Sequence, residues 1–232
     1  KRRWINPILL KFTDEVTTIS VATGRALAEY EYIPEDRIKV IYNGLKLNRN
    51  ELLKSYNKNE LAEKLDIPTS STIIGTIARL DPIKNHIMLI KAFSQLEQIN
   101  THLVIIGDGP MLIELKELVR KLELERRVHF TGFIVEPQKY LLSMQVFLLT
   151  SFSEGTSMTL LEAMACAVPS IVTNVGGNPE IVNEETGIVI DNDAQDQLVS
   201  AMKYLILNVT ERNRLGENCI TRYFGNFTDS IM

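Results

Sequence analysis

Short, wholly apolar segments alternate with longer amphipathic ones along most of this chain. That alternation constrains the fold more than any other feature. Leu103-Val104-Ile105-Ile106 has no polar face, as expected of a strand covered on both sides in a parallel sheet. Strands are expected at Thr17–Val21, Ile38–Tyr42, Ile73–Ile77, His102–Ile106, Val128–Thr131, Val146–Leu149, Ser170–Thr173 and Gly187–Ile190. Between them run stripes of helical period: Ile87, Ile90, Phe93 and Leu96; then Leu112, Leu115, Leu118, Val119 and Leu122, opened by Pro110; then Leu198, Ala201, Met202 and Leu205. Right-handed strand–helix–strand units of this spacing predict an α/β, doubly wound, Rossmann-like parallel sheet. The main domain is placed at 47–215, after a separate piece (1–46) and a polar stretch, Lys46–Lys64, that reads as a linker merging into a helix.

Composition narrows the function. The 232 residues carry 25 Lys plus Arg against 29 Asp plus Glu, a net charge of −4, which argues against a nucleic-acid partner. Two cysteines, Cys166 and Cys219, make no disulfide framework and read as reduced, cytoplasmic thiols. No apolar run is long enough to span a bilayer, and no signal peptide is visible. Trp4, Ile5, Leu9 and Leu10 lie beside Lys1, Arg2, Arg3 and Lys11. They offer a basic amphipathic surface for peripheral membrane contact, although Pro7 weakens such a helix.

Four loops carry the candidate chemistry. In Ser151–Pro169 a buried strand leads through Glu154-Gly155-Thr156-Ser157 into a helix, the place where open α/β sheets bind ligands and where free N–H groups favour an anion. Glu154 and Glu162, eight residues apart, are expected to look towards one crevice. The bland alternative is a first-turn acid and a solvated carboxylate. The apolar neighbours of Glu162 instead suggest a carboxylate that is partly buried or lines a cleft, able to accept from a vicinal diol such as a ribose. In Gly75–His86, Arg79 follows a strand and Lys84 is expected to start the next helix. A cation there opposes the helix dipole, so the two residues are either a diphosphate clamp or two ordinary surface cations. Gly107-Asp108-Gly109-Pro110 reads as a tight strand–helix turn, and Asn174–Val182, with Gly176-Gly177, as a close-approach loop.

Taken together, SEGTSMTLLEAMACAVPSIVTNVGGNPEIV, GTIARLDPIKNH, VIIGDGP, VHFTGFI and TGIVID resemble, in order, the signature of the retaining glycosyltransferases of family four, which have the GT-B fold. The resemblance covers about residues 13–225 and departs at Ala167 and Ser157, where the family commonly has glycine, or proline or glycine. It implies that this chain is the donor-binding half of such an enzyme. Residues 1–46 would be the tail of the acceptor domain and hinge, and 216–232 a segment returning towards it. It further implies that Arg79 and Lys84 hold the donor's diphosphate and that Glu162 holds the ribose. Glu154 would contact the transferred sugar. The backbone of Gly155, Thr156, Ser157, Met158 and Thr159 would face sugar and phosphates, that of Phe133 and Ile134 the nucleobase, and Gly109 would line the donor site. The implied partners are a nucleotide sugar as donor and a sugar or lipid-linked acceptor bound by the missing half. The implied process is cell-surface polysaccharide or lipopolysaccharide synthesis, with no metal or other cofactor. The isolated chain is expected to bind nucleotide but to turn over little.

Three other readings were weighed. Asp191-Asn192-Asp193 matches the DxD pattern of metal-dependent transferases, but is read here as a turn in which Asp193 caps the helix Ala194–Leu205, with Asp196 in its first turn. A nucleotide-sugar epimerase needs an acid and a base near the sugar. Of the three histidines, His102 and His129 lie in strands and His86 alone is placed to face a cleft. A non-catalytic nucleotide-binding module would be expected to have lost the charged set, which is present.

Overall fold

The structure, a computed structural model, describes residues 6, 8–96 and 100–228. Six strands form one parallel sheet: β3 (Thr72–Ile77), β4 (Thr101–Ile106), β5 (Val128–Gly132), β6 (Val146–Leu149), β7 (Ser170–Thr173) and β8 (Gly187–Ile190). Their order is β5-β4-β3-β6-β7-β8. Every pairing is parallel.

Because successive strand side chains alternate in direction, each apolar strand feeds two cores. Ile74, Leu103, Ile105, Leu148 and Ile171 pack with α4 (His86–Ser94), α5 (Leu112–Lys121) and α8 (Gln195–Leu207) on one face. Ile73, Val104, Ile106, Phe147 and Val172 pack with α3 (Glu60–Lys64), α6 (Met158–Ala165) and α9 (Val209–Asn226) on the other. Both faces are covered, so the continuous apolar runs are explained by burial on two sides.

The segment before the main sheet differs from expectation. It forms a two-stranded parallel sheet, β1 (Val16–Thr18) with β2 (Ile38–Val40), around α1 (Val21–Glu31). The β-branched run Thr17–Val21 is therefore strand only at its start. Ser20 ends it by capping α1, its Oγ accepting from Thr23 N at 3.1 Å. Lys46–Lys64 ends in a helix, α3, as expected, but a further short helix, α2 (Arg49–Ser55), occupies the part expected to be a linker. Pro110 lies ahead of the N-cap Met111 and not in the first turn of α5.

The helix α9 runs unbroken through 215–216, so the division at that point falls inside one element. Its end returns to residues 42–45: Phe227 O accepts from Leu45 N at 2.9 Å, and the Tyr42 and Phe227 rings meet edge to face at 6.1 Å. Among the described residues no helix is long and apolar enough to cross a membrane. Residues 1–5 and 7 of the basic amphipathic stretch lie outside the described residues. Of its neighbours, Leu9 and Phe12 are exposed.

Candidate functional site

The strand order reverses between β3 and β6. After β3 the chain passes to α4 on one face, and after β6 to α6 on the other. The two loops part as they leave the sheet, and this opens a crevice at the carboxyl ends of the strands, the ligand position of such sheets.

Hydrogen bonds and an ion pair tie the two loops together. Thr150 Oγ1 donates to Lys84 O at 3.0 Å, and Phe152 N to Ile83 O at 2.8 Å. Lys84 Nζ lies 2.6 Å from Glu154 Oε1, with side chains only 22% and 9% exposed. Ser151 Oγ donates to the same oxygen at 2.6 Å, and Ser151 is fully buried. Burying an ion pair costs desolvation that only good geometry and extra hydrogen bonds offset. The serine supplies one such bond.

Lys84 does not start α4. It ends a 3-10 turn, Pro82–Lys84, and Asn85 caps α4 from a left-handed conformation (φ 50°). Opposition to the helix dipole is therefore not what places the lysine; Glu154 is. Arg79 is in a different state. Its side chain is 73% exposed and sits 3.9 Å from the Asp81 carboxylate, a contact that contributes little in water.

Glu162 stands midway along α6 and opens onto a cavity of about 490 Å³ shared with Tyr56, Glu136, Gln138 and Lys139. Burial holds its carboxyl above the ordinary carboxylate range. Glu154 does not line that cavity. Its side chain is instead held by Lys84 and Ser151, and Glu154 precedes α6, as expected from the sequence.

The glycines have specific work. A Cβ on Gly176, which has φ +51°, would lie 1.6 Å from Glu154 O, so the Gly176–Gly177 loop closes on the Glu154 backbone. Gly177 N donates to Gly155 O at 2.9 Å. A Cβ on Gly109 would meet Leu80 O at 2.4 Å, so that glycine is required by the β3–α4 loop beside it. Thr156 Oγ1 donates to Ile19 O at 2.7 Å, and the Ser157 and Thr159 hydroxyls pair at 3.0 Å at the start of α6. Met158 and Phe133 are exposed, the latter by 77%, while Ile134 packs on the core.

Two other expectations change. Asp193 caps no helix: Ala194 is the N-cap of α8, and Asp193 Oδ1 accepts from Asn85 Nδ2 at 3.1 Å, across from the start of α4. Among the described residues no three acidic, histidine or cysteine side chains gather as metal ligands. His86 faces no cleft. It is 3% exposed, and burial above all holds its imidazole down at about 4. His102 Nδ1 and His129 Nε2 bond each other at 2.9 Å at the far end of β4 and the start of β5. No histidine is placed for acid–base work on a sugar.

The sequence model of the glycosyl transferases group 1 family matches residues 57–222, which contain the loop pair, the ion pair and Glu162. The chain belongs to the group 1 glycosyl transferases. It is 29% identical over 217 residues to the N-acetyl-alpha-D-glucosaminyl L-malate synthase of Bacillus anthracis, covering 89% of this chain and 56% of that one. It is 27% identical over 222 residues to the Escherichia coli UDP-Gal:alpha-D-GlcNAc-diphosphoundecaprenol alpha-1,3-galactosyltransferase, covering 91% and 57%. The fold matches that of Anabaena HepE, solved in complex with UDP, with a TM-score of 0.84 at 22% identity over 93% of this chain and 60% of that one. This group 1 chain therefore spans little more than half the length of these two curated relatives, and 39% of the Campylobacter jejuni relative it also matches.

Sequence reasoning missed two residues of the site. Ser151 was signalled by a small hydroxyl three residues before Glu154. Glu180 had no local signal. Its carboxylate accepts from Val21 N and Ala22 N at 2.8 and 2.9 Å and from the Tyr42 hydroxyl at 2.9 Å. It thereby ties the amino end of α1 to the sheet domain.

Proposed function

We propose that this chain is the donor-binding half of a retaining glycosyltransferase that moves a sugar from a nucleoside diphosphate to an acceptor in cell-surface polysaccharide or lipopolysaccharide synthesis. The observation that carries this reading is the buried Lys84–Glu154–Ser151 group at the strand-order reversal, with the exposed Arg79 on the same loop as Lys84 and Glu162 lining a cavity. Both relatives named above transfer or condense sugars, and the names of the Escherichia coli relative and the Anabaena complex carry uridine diphosphates.

In this reading Arg79 and Lys84 take the diphosphate, the guanidinium as a fork and the ammonium as a point charge. The bond between the sugar's anomeric carbon and the diphosphate breaks, the acceptor oxygen forms the new bond, and the acceptor's proton leaves with the departing diphosphate. Charge grows on that leaving group, so fixed cations aimed at it lower the barrier. The donor draws Lys84 away from Glu154, and the released carboxylate turns to the sugar hydroxyls. Glu162 accepts from the ribose diol. The backbone N–H groups of Gly155–Thr159 face sugar and phosphates, those of Phe133 and Ile134 the base, and Gly109 holds the β3–α4 loop that carries Arg79. The acceptor is held by the half of the enzyme outside this chain, and no metal or other cofactor enters.

The test is thermal unfolding against uridine, guanosine and adenosine diphosphates and their sugars, with Glu162→Ala as control. Ligand at 100 times its Kd stabilises by about 2.7 kcal/mol, or roughly 5–10 °C for a domain of this size. A shift with one base, lost in Glu162→Ala, is expected. No shift with any nucleotide, in a chain that also carries its acceptor domain, would overturn the reading.

A further inference from the structure

At the opposite, amino-terminal edge of the sheet lies a second cavity, of about 550 Å³. Its floor is made where the strands begin, at Ile73, Gln145 and Pro169. β3 has six residues, so this cavity lies roughly 20 Å of sheet away from the Lys84–Glu154 loops, while Cys166 on its wall is one turn along the chain from Glu162. Nothing in the proposed transfer uses it.

Its charge is one-sided. Arg49, Lys58 and Arg212 line it against a single carboxylate, Glu217. The Cys166 thiol adds no charge, because burial pushes it up to about 12. The partial negative charge at the end of α6, about half an elementary charge, leaves the balance well positive. This contrasts with a chain whose net charge is −4.

One of these cations is also unsatisfied. Arg49 Nε is buried with no hydrogen-bond partner, a state that is rare for a polar atom. Arg212 is held in place rather than consumed. Its Nη1 donates to Leu205 O and Ile206 O, both at 3.0 Å, at the end of α8. Lys58 is exposed at the mouth. Two guanidiniums and an exposed ammonium match a compact dianion better than a single carboxylate. A phosphomonoester carries roughly −1.5 to −2 at pH 7 and three acceptor oxygens. The volume lies within the range of about 300–1,000 Å³ usual for small-molecule sites.

We propose that this cavity is a binding site for a small phosphomonoester, separate from the nucleotide crevice. The Arg49 guanidinium, with Arg212 and Lys58, supplies the anion's partners. The proposal stands whether or not the chain is a transferase.

Isothermal titration at fixed ionic strength tests it, with inorganic phosphate and glycerol 3-phosphate as probes. The wild-type chain is expected to bind one equivalent. Arg49→Met is expected to weaken binding at least tenfold and Lys58→Met several-fold, each with an unchanged far-UV spectrum. Lys84→Met, which alters only the crevice, is expected to leave it intact. If Arg49→Met does not fold, Lys58→Met carries the test by itself. Absence of binding to wild type at about 10 mM probe would overturn the proposal. So would unchanged affinity in both cavity variants, or loss of binding in Lys84→Met, which would assign the phosphate to the crevice.

Discussion

His86 makes the stability of this protein depend on pH in a way that can be worked out in advance. Burial above all holds its imidazole down at about 4, with the Asp81 carboxylate pulling the other way and Lys84 adding to the depression. In the unfolded chain the group returns to about 6.5. Below that value the unfolded chain takes up a proton that the folded one refuses until about pH 4. Stability is therefore lost as pH falls through this window. At pH 5 the loss is about 2 kcal/mol, and across the whole window it approaches 3 kcal/mol. That is a large part of the 5–15 kcal/mol typical of a domain. The perturbation is His86→Leu. His86 Nδ1 has no hydrogen-bond partner, so the substitution removes the titration without breaking a bond there. The assay is urea unfolding of both proteins from pH 7 to 5. Every other titrating group is shared, including His129, which burial also holds at about 4, so the difference between the curves isolates His86. The variant should gain about 2 kcal/mol relative to wild type on going from pH 7 to 5, or roughly 4–8 °C in Tm. Parallel curves would refute the reasoning, because they would mean that His86 takes up its proton without unfolding.

Two further substitutions probe the loops. Gly176→Ala places a Cβ 1.6 Å from Glu154 O at φ +51°, and should cost about 2–4 kcal/mol and abolish nucleotide-induced thermal shifts. Gly132→Ala, also at positive φ (+72°) but with nothing within 4 Å, serves as the matched control, and a Gly176→Ala melting temperature equal to the control's would count against the close approach. Glu180→Gln removes the charge that draws in Val21 N and Ala22 N, at a cost of about 1–2 kcal/mol. The exchange of those two amide protons should quicken about tenfold, and an unchanged rate would mean that the carboxylate does not hold α1.

The site was legible in parts, and the division has a physical cause. The loops after β3 and β6 were readable because small and charged residues interrupt an otherwise apolar rhythm. Glu162 stood out for a similar reason, as a carboxylate among Leu160, Leu161, Ala163 and Met164. The helix α1 escaped notice because only Gly24 of its residues is buried, so it has no apolar stripe. Asp193 was misassigned because acid-before-helix is a local pattern, whereas its partner, Asn85, lies 108 residues away. Ala167 carries a φ of +64°, which gives a reason for the glycine expected there by resemblance and marks this chain's alanine as strained by roughly 1–2 kcal/mol.

The sequence by itself determined what depends on periodicity and composition: a parallel sheet covered on both faces, the order of its strands along the chain, and the loops that leave their carboxyl ends. Tertiary structure alone decided what depends on which strands are neighbours. Lys84 and Glu154 are 70 residues apart. They meet because β6 pairs with β3 instead of with β5, although the helices that follow diverge to opposite faces. The adjacency is a property of the packed sheet, where all six strands must bury both faces at once, and no local stretch of sequence encodes it.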